Sequence, residues 1–397
     1  MTAVSWVLTD VTRDVYVPEF SVGSSDFHGT PKLPWSIRKR TLRGGLRDGV
    51  DVVEINNGRL SFAVVPTRGM GIWKGSFDGL PLGWKSPIQG PVHPQYVNSM
   101  DRGGIGWIAG FDEWICRCGL DSNGAPGEDV IPDNNGNPMK VQLPLHGKIA
   151  NLPAGQVKAR VIMGDEPELA VTGRVQESML FSPQLELRTS ISTRAGSNRL
   201  VIRDEVVNLR STPAELELLY HCNFGGPFLD AGARLVAPVR ECAPRDARAA
   251  EGIDTVMQYP APTPGFIEQA YWFDLHGEPA SDATLAMLRS GAGDKACVLR
   301  FSRSQLPCFT LWKNPGAESD GYVTGLEPGT NYPNTKRFER ERGRVLVLPP
   351  GGSHKVELWV EVLDTAAQVA AVEAECRGLA RTPAVIHRAP HPKYSPV

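Results

Sequence analysis

Apolar residues recur at every second position through most of this chain, in short stretches that Gly and Pro interrupt. Such alternation sends successive side chains to opposite sides of an extended backbone, so each stretch reads as a strand with one buried face. Leu60 to Val65 runs up to Pro66, Leu185 to Ile191 alternates with Glu186, Arg188 and Ser190, and Leu216 to Tyr220 leads straight into His221. Near the end, Val356, Leu358, Val360 and Val362 alternate with Lys355, Glu357, Trp359 and Glu361. Gly (41 residues) and Pro (33) are spread throughout, as many strands joined by turns require. Helical spacing is confined to Thr365 to Ala380, where Val369, Val372 and Cys376 share one side and Asp364 is placed to cap; this helix should pack outside the sheets. Past Arg381, four prolines predict an irregular tail.

These elements predict an all-β fold, a large antiparallel two-sheet β-sandwich with few helices. At 397 residues the chain can bury a large core, and neither a repeat nor a low-complexity linker divides it. The expected organisation is an added N-terminal section over 1–50, the sandwich over 51–363, and a C-terminal helix and tail over 364–397. Asp121 to Pro138, rich in Asn, Gly and Pro, reads as a long irregular loop, a lid or a surface excursion.

Charge and cysteine usage narrow the partners. A formal charge of -2 leaves no basic excess for nucleic acid, and no polybasic run suggests a membrane surface. No stretch approaches the ~20 apolar residues of a membrane span. The first residues, with Asp10 and Asp14 and no long apolar core after a basic start, are not expected to act as a secretory signal. Seven cysteines, an odd count, argue against a disulfide framework. The expected setting is cytoplasmic and the expected partner a small neutral molecule or a second copy of the chain, with no nucleic acid and no membrane.

Candidate chemistry lies in three stretches: Leu145-His146-Gly147, Tyr220-His221-Cys222-Asn223-Phe224-Gly225, and Gly325-Leu326-Glu327-Pro328-Gly329-Thr330-Asn331. With His titrating near ~6.5 and Glu near ~4.3, one can give a proton while the other takes one. A lone histidine is more often structural, and His28, His93, His276, His354, His387 and His391 are read so. Arg68, between Thr67 and Gly69, could fork onto vicinal hydroxyls or a carboxylate, or could be a turn residue. Lys313 and Asn314 could line the same mouth, with Trp312 in the core, and alternation turns Tyr220 away from His221. In Gly110 to Gly124, Asp112, Glu113, Arg117, Asp121 and Asn123 could supply binding groups; Cys116 and Cys118 lack a second pair at zinc spacing, so no structural zinc is expected. Two His plus one carboxylate is a metal-ligand set only if His146, His221 and Glu327 converge tightly. Dinucleotide, P-loop and nucleophile-elbow patterns are absent.

In order and spacing, the Leu-His-Gly, the second His ahead of Asn-Phe, and the Glu ahead of Asn-Tyr-Pro-Asn resemble the galactose mutarotase (aldose 1-epimerase) superfamily, over about Val52 to Val362. The Cys-Gly-Leu run before Leu-His-Gly is similar to a subset of that superfamily with uncharacterised substrates. Ordinary members carry an arginine-asparagine segment before the first His and a separate Asp that anchors a sugar hydroxyl; neither aligns here. The resemblance implies the mutarotase-like supersandwich and a cofactor-independent isomerase of carbohydrate metabolism. It would interconvert anomers of a free sugar or sugar derivative, with Glu327 as base on the C1 hydroxyl, His221 as acid toward the ring oxygen, and His146 holding the reacting end. The binding set expected around them is Arg68, Asn223, Lys313, Asn331, Asp121 and Arg117. The alternatives are a keto-sugar isomerase, epimerase or lyase using the same groups, and a non-catalytic carbohydrate-binding or sensing protein.

Overall fold

A computed structural model describes residues 3–27 and 33–396, so His28 lies outside the described residues. Among these, the strands assemble into a fourteen-stranded sheet, a ten-stranded sheet and a separate two-stranded ribbon. The two large sheets pack face to face as a β-sandwich. Pairing between the described strands is antiparallel except where Val385–Ile386 runs parallel to Val239–Pro244, and an isolated parallel bridge joins Gly119 to Gly147. The core is built as alternation predicts. Leu218, Tyr220, Cys222 and Phe224 from the larger sheet meet Leu185, Leu187, Ile202, Val206, Val356, Leu358 and Val360 from the smaller. Each fully buried Leu, Ile or Val of this kind is worth roughly 1.5–3 kcal/mol relative to exposure.

The described residues among the first fifty do not stand apart from the sandwich. Ala3–Asp10 pairs with Gln156–Ile162 in the smaller sheet, and Ser36–Thr41 pairs with Asp51–Asn56 in the larger. Leu8 and Ile37 are fully buried in the shared core, which is why these strands are held.

The C-terminal helix spans Ala366–Leu379 and lays Val369, Val372 and Cys376 on the outer face of the smaller sheet, against Leu285, Met287, Ala296 and Val298. Its cap is Thr365, whose side chain accepts from Gln368 N at 3.3 Å; Asp364, the expected cap, instead faces Arg59 at 3.5 Å. None of the described helices is long and apolar enough to cross a membrane.

The Asp121 to Pro138 segment corrects another expectation. Instead of an irregular loop, Gly127–Pro132 and Pro138–Leu143 form a two-stranded hairpin. Asp133 Oδ1 closes its turn by accepting from the N–H groups of Asn135 and Asn137, both at 2.8 Å. Arg340 ties the hairpin down through both oxygens of Asp129, each at 2.8 Å.

The tail runs beside the larger sheet and is pinned at its end. Trp272 Nε1 donates to Ser395 Oγ at 2.7 Å and Asn334 Nδ2 to the Tyr394 carbonyl at 2.8 Å. Glu241 receives His387 Nε2 at 2.6 Å and also binds Lys393. Burial opposes ionisation of Glu241, yet Lys393 and His387 outweigh it and hold its carboxyl down at about 2. A depressed acid stabilises the fold above its unfolded value near ~4.5 and loses that contribution as pH falls toward about 2. Amide exchange should therefore show residues 385–395 loosening between pH 4.5 and 2 in the wild type, and already loose at pH 7 in Glu241→Gln.

Candidate active site

Strand Ala214–Phe224 lies between Ile115–Leu120 and Tyr322–Gly329 in the larger sheet. Because side chains alternate, Tyr220 and Cys222 point into the core while Leu219, His221 and Asn223 point to the sheet's outer face. His221 is paired with Cys116 on one side, and the pairs Leu219 with Gly329 and Cys222 with Leu326 bring Glu327 across from it on the other. Thr310 sits opposite Glu327 on the next strand. One row across the outer face thus reads Thr310, Glu327, His221, Cys116.

His221 Nε2 lies 3.2 Å from Glu327 Oε1. Among the described residues, Oε1 has no hydrogen-bond partner of its own. Gly325 makes the arrangement sterically feasible: a Cβ there would stand 2.4 Å from Glu327 Oε1 and 3.0 Å from His221 Cε1.

His146 arrives from outside the sheet. Its backbone is in the left-handed region (φ 58°), and the next residue, Gly147 (φ 69°), fits so closely against Ser122 and Gly119 that a Cβ would be 2.0 Å from the Ser122 carbonyl oxygen. A non-Gly residue at positive φ is costly and persists only where its surroundings fix it. Here Gly119 N donates to the His146 carbonyl at 3.1 Å and His146 N to the Gly124 carbonyl at 2.9 Å. The two imidazoles end 5.4 Å apart, ring centre to ring centre, nearly perpendicular.

The surroundings fix both tautomers. His146 Nδ1 is 2.8 Å from the Asn123 carbonyl oxygen, which can only accept, so Nδ1 carries the hydrogen and Nε2 is free. His221 Nδ1 is 2.6 Å from Asn223 Oδ1. Asn223 Nδ2 donates to the Glu113 carbonyl at 2.9 Å, which orients the amide and leaves Oδ1 as acceptor. His221 Nδ1 is therefore also protonated, and Nε2, facing Glu327, is the nitrogen that titrates.

Aromatic rings enclose the three groups. Trp107 stands edge-on to His146 at 4.7 Å, Phe111 edge-on to His221 at 4.9 Å, and Trp312 lies 5.5 Å from His221. His146 is 9 % exposed, His221 4 % and Glu327 2 %. Burial pushes Glu327 well above the usual carboxylate range, with Glu268 adding and Arg245 opposing. Burial likewise drives His221 well below the usual imidazole range, aided by His146, and holds His146 at about 4. Among the described residues, three polar atoms here have no partner although buried: Trp107 Nε1, Thr310 Oγ1 and Glu327 Oε1. Such groups cost about 1–3 kcal/mol each when left unsatisfied.

Of the binding residues expected from sequence, only Asn223 joins the three. Arg68 is buried with every donor group engaged: Nε on Glu113 at 2.5 Å, Nη1 on Asn151 and the Val92 carbonyl, Nη2 on the Gly110 carbonyl. It braces the segment that carries Phe111. Arg117 points into the core, where Asp204 takes its Nε at 2.5 Å. Lys313 alternates with Trp312 and so faces away, its Nζ on the carbonyls of Thr255, Val256 and Gln258. Asn331 is buried against Asn123 and Glu217, and Asp121 is paired with Lys336 at 2.7 Å. Among the histidines read as structural, His93 caps a short turn, His354 meets the Gln305 carbonyl and His387 meets Glu241.

Trp312, assigned to the core from sequence, is instead half-buried at the site, and its Nε1 donates to Glu268 Oε2 at 2.6 Å. Glu268 also takes Arg245 Nη2 at 3.1 Å. Neither Glu268 nor Arg245 carries a local motif, so only the folded chain reveals them. Trp107 had a signal in its glycine-rich surroundings, Gly103 to Gly110. Among the described residues, no three His, Cys, Asp or Glu side chains are grouped to hold one metal ion.

The profile of a family described as a domain of unknown function, DUF4432, matches residues 47–362. The chain belongs to the DUF4432 family. No curated protein matches this DUF4432 member. A solved structure from Klebsiella pneumoniae, named as a candidate aldose 1-epimerase, is 32% identical over 97% of this chain and 98% of its own, with a TM-score of 0.91. A galactose mutarotase-like protein from Clostridium acetobutylicum is 16% identical over 83% of this chain and 98% of its own (TM-score 0.57). A candidate aldose 1-epimerase from Escherichia coli K12 is 15% identical over 79% and 99% (TM-score 0.53). The supersandwich of this DUF4432 protein is thus the mutarotase-like one.

Gly325→Ala tests the geometry without reference to any activity. The added methyl should push the Glu327 carboxylate off His221 at an overpacking cost of about 1–3 kcal/mol. A crystal structure and a thermal melt of the variant measure both effects; a site left in place with unchanged stability would contradict the fit described.

Proposed function

We propose that this protein interconverts the anomers of a sugar by general acid/base catalysis, as a cofactor-independent isomerase of the aldose 1-epimerase type. The observation that carries the reading is the 3.2 Å approach of His221 Nε2 to Glu327 Oε1 inside an aromatic enclosure. Opening a cyclic hemiacetal needs a proton taken from the C1 hydroxyl and a proton given to the ring oxygen. Both oxygens hang on one carbon, so a base and an acid side by side can address both.

The buried pair holds one transferable proton. In the productive form it sits on His221 Nε2, and Glu327 is a carboxylate. Burial favours the neutral alternative, but a substrate hydroxyl donating to Glu327 favours the carboxylate, because hydrogen bonds to the charged form lower an acid's pKa. Glu327 then takes the C1 proton as His221 gives its own to the ring oxygen. The ring opens, the C1–C2 bond rotates, and closure on the other face runs both transfers in reverse. Neutral His146, with Nδ1 committed to Asn123, can offer only Nε2 as an acceptor, so it holds a substrate hydroxyl and does not protonate the ring oxygen. Trp107, Phe111 and Trp312 would cover the C–H faces of the sugar, and Trp107 Nε1 and Thr310 Oγ1 would find hydroxyl partners. Glu268, held by Trp312 and Arg245, would accept from a hydroxyl at the rim. Site, fold and family likeness support this reading together.

The test is exchange NMR of anomer interconversion over a panel of free aldoses, uronates and deoxy-sugars. Wild type should accelerate exchange for one class, and Glu327→Gln should lose about 10²–10⁴-fold while still binding the sugar. A fully active variant would remove Glu327 from the mechanism. Binding without acceleration would point to a sensing protein, and exchange of a carbon-bound proton with solvent to an isomerase or lyase.

The pH profile is a separate check. Activity requires one proton on the pair, a state bounded below by double protonation and above by full loss. With His221 depressed and Glu327 raised, the acid limb should fall below the ordinary imidazole range and the alkaline limb above the ordinary carboxylate range. An acid limb at the ordinary imidazole value near ~6.5, or an alkaline limb at the ordinary carboxylate value near ~4.3, would count against the assignment.

A further inference from the structure

Glu217 lies four residues before His221 on the same strand and the same face, fully buried, and the chemistry above makes no use of it. Its carboxylate joins two other pieces of chain. Oε2 accepts from Asn123 N at 3.1 Å and Oε1 from Asn331 Nδ2 at 2.7 Å. Asn123 Nδ2 in turn donates to Asn331 Oδ1 at 2.8 Å, an oxygen that also receives Thr330 Oγ1 at 3.0 Å. Asn123 is thus held at its N–H and at its side chain. Its third polar group, the carbonyl, is the one that takes the His146 Nδ1 hydrogen at 2.8 Å.

We propose that Glu217 is a positioning residue: by gripping Asn123 it aims the carbonyl that decides which nitrogen of His146 is protonated, and through Asn331 it ties that decision to the strand of Glu327. The proposal rests on the reading of His146 Nε2 as a substrate-hydroxyl acceptor. Without the grip, Asn123 would keep only its side-chain bond to Asn331, its carbonyl would be less firmly aimed at Nδ1, and a His146 protonated at Nε2 would present a donor where an acceptor is required. The positive φ of His146 adds to the need, since a strained backbone stays put only when several contacts hold it.

The charged groups around Glu217 come from three elements. Lys336 and Glu339 lie on the helix Lys336–Glu341, Asp121 on the segment before Asn123, and Glu215 on its own strand. Lys336 is paired with Asp121 at 2.7 Å and Glu215 at 3.1 Å, and Glu339 with Arg344 at 2.6 Å. Burial raises Glu217 to about 8, against the pull of Lys336 and of the Asn123 N–H. The carboxylate form is the one that accepts both hydrogen bonds, so the grip should tighten as pH rises through about 8.

The experiment is ¹⁵N NMR of the histidine side chains in wild type, Glu217→Gln and Glu217→Asp, beside steady-state anomerisation kinetics. Above pH 8, wild-type His146 should be a single Nδ1–H tautomer. In Glu217→Gln, whose amide cannot accept at both atoms, His146 should show mixed tautomers and KM should rise about tenfold, 1.4 kcal/mol of lost ground-state binding, while kcat stays within threefold. Glu217→Asp should recover part of the loss. Should Glu217→Gln not fold, the wild type alone decides: the Asn123 amide and the His146 ring signals should move together with a midpoint near 8. An unchanged His146 tautomer in Glu217→Gln, or no joint transition in the wild type, overturns the proposal. Because the tautomer is read without substrate, a protein inactive on every sugar would refute the mutarotase reading while leaving this test intact.

Discussion

The arrangement depends on a charged cluster buried between the sheets. Arg117, on Ile115–Leu120 of the larger sheet, gives both Nε and Nη2 to Asp204 on Arg199–Asn208 of the smaller, and Tyr220 adds its hydroxyl to the same carboxylate at 2.7 Å. Thr189 and the Met70 carbonyl occupy the remaining side of the guanidinium. Removing one partner of such a pair leaves an uncompensated buried charge and costs roughly 3–5 kcal/mol. Its value here is in register. Arg117 and Tyr220 are directly paired, as are Cys116 and His221. A slip of one residue would turn every side chain on a strand to the other face. Anchoring Arg117 and Tyr220 inward therefore fixes His221 outward, opposite Glu327.

What the cluster secures on one face, the aromatic cover makes demanding on the other. Glu327, His221 and His146 are removed from water with no cation among the described residues in hydrogen-bonding contact, so each leans to its neutral form. Arg245, whose charge opposes the rise of Glu327, is already shared between Glu268 and Asp246. Burial raises Glu327 and lowers His221, so it draws a shared proton toward the carboxyl, and a hydroxyl donating to the carboxylate favours its return to the imidazole. Among the unpartnered buried atoms of the described residues, those of Trp107, Thr310 and Glu327 lie around this pair. A polar ligand seated there would complete their bonding.

The fold was largely legible in the chain because strands leave a two-residue period. Leu60–Val65 has the expected limits, and the tracts around Leu185, Leu216 and Val356 all form strands. The three chemical motifs were legible as well, and they do converge. What failed was facing and company. Lys313 and Trp312 are neighbours, and deciding which faces the site requires the pairing of their strand, which no local signal supplies. Arg68 and Arg117 looked free because their acceptors, Glu113 and Asp204, are 45 and 87 residues away in sequence. The hairpin at 127–143 was hidden because its strands are short, polar and proline-flanked, although Asn135-Gly136 marks a turn.

The two histidines show how far local sequence reaches. Both have Nδ1 committed and Nε2 available, but the means differ. His221 is set by Asn223, two residues along the same strand, where the pleat brings side chains i and i+2 onto one face. That pair is written in the chain as His-x-Asn and needs only a strand to act. His146 is set by a backbone carbonyl 23 residues earlier, in a segment with no regular structure of its own. Its orientation exists only after the larger sheet has formed, because Gly119 and Gly124 must first receive the Leu-His-Gly turn. Loss of order around Asn123 would leave the His221 and Glu327 pair assembled while freeing His146, so the proton-transferring pair and the hydroxyl-holding group are separable parts of one site. That separation follows from strand geometry in one case and loop packing in the other.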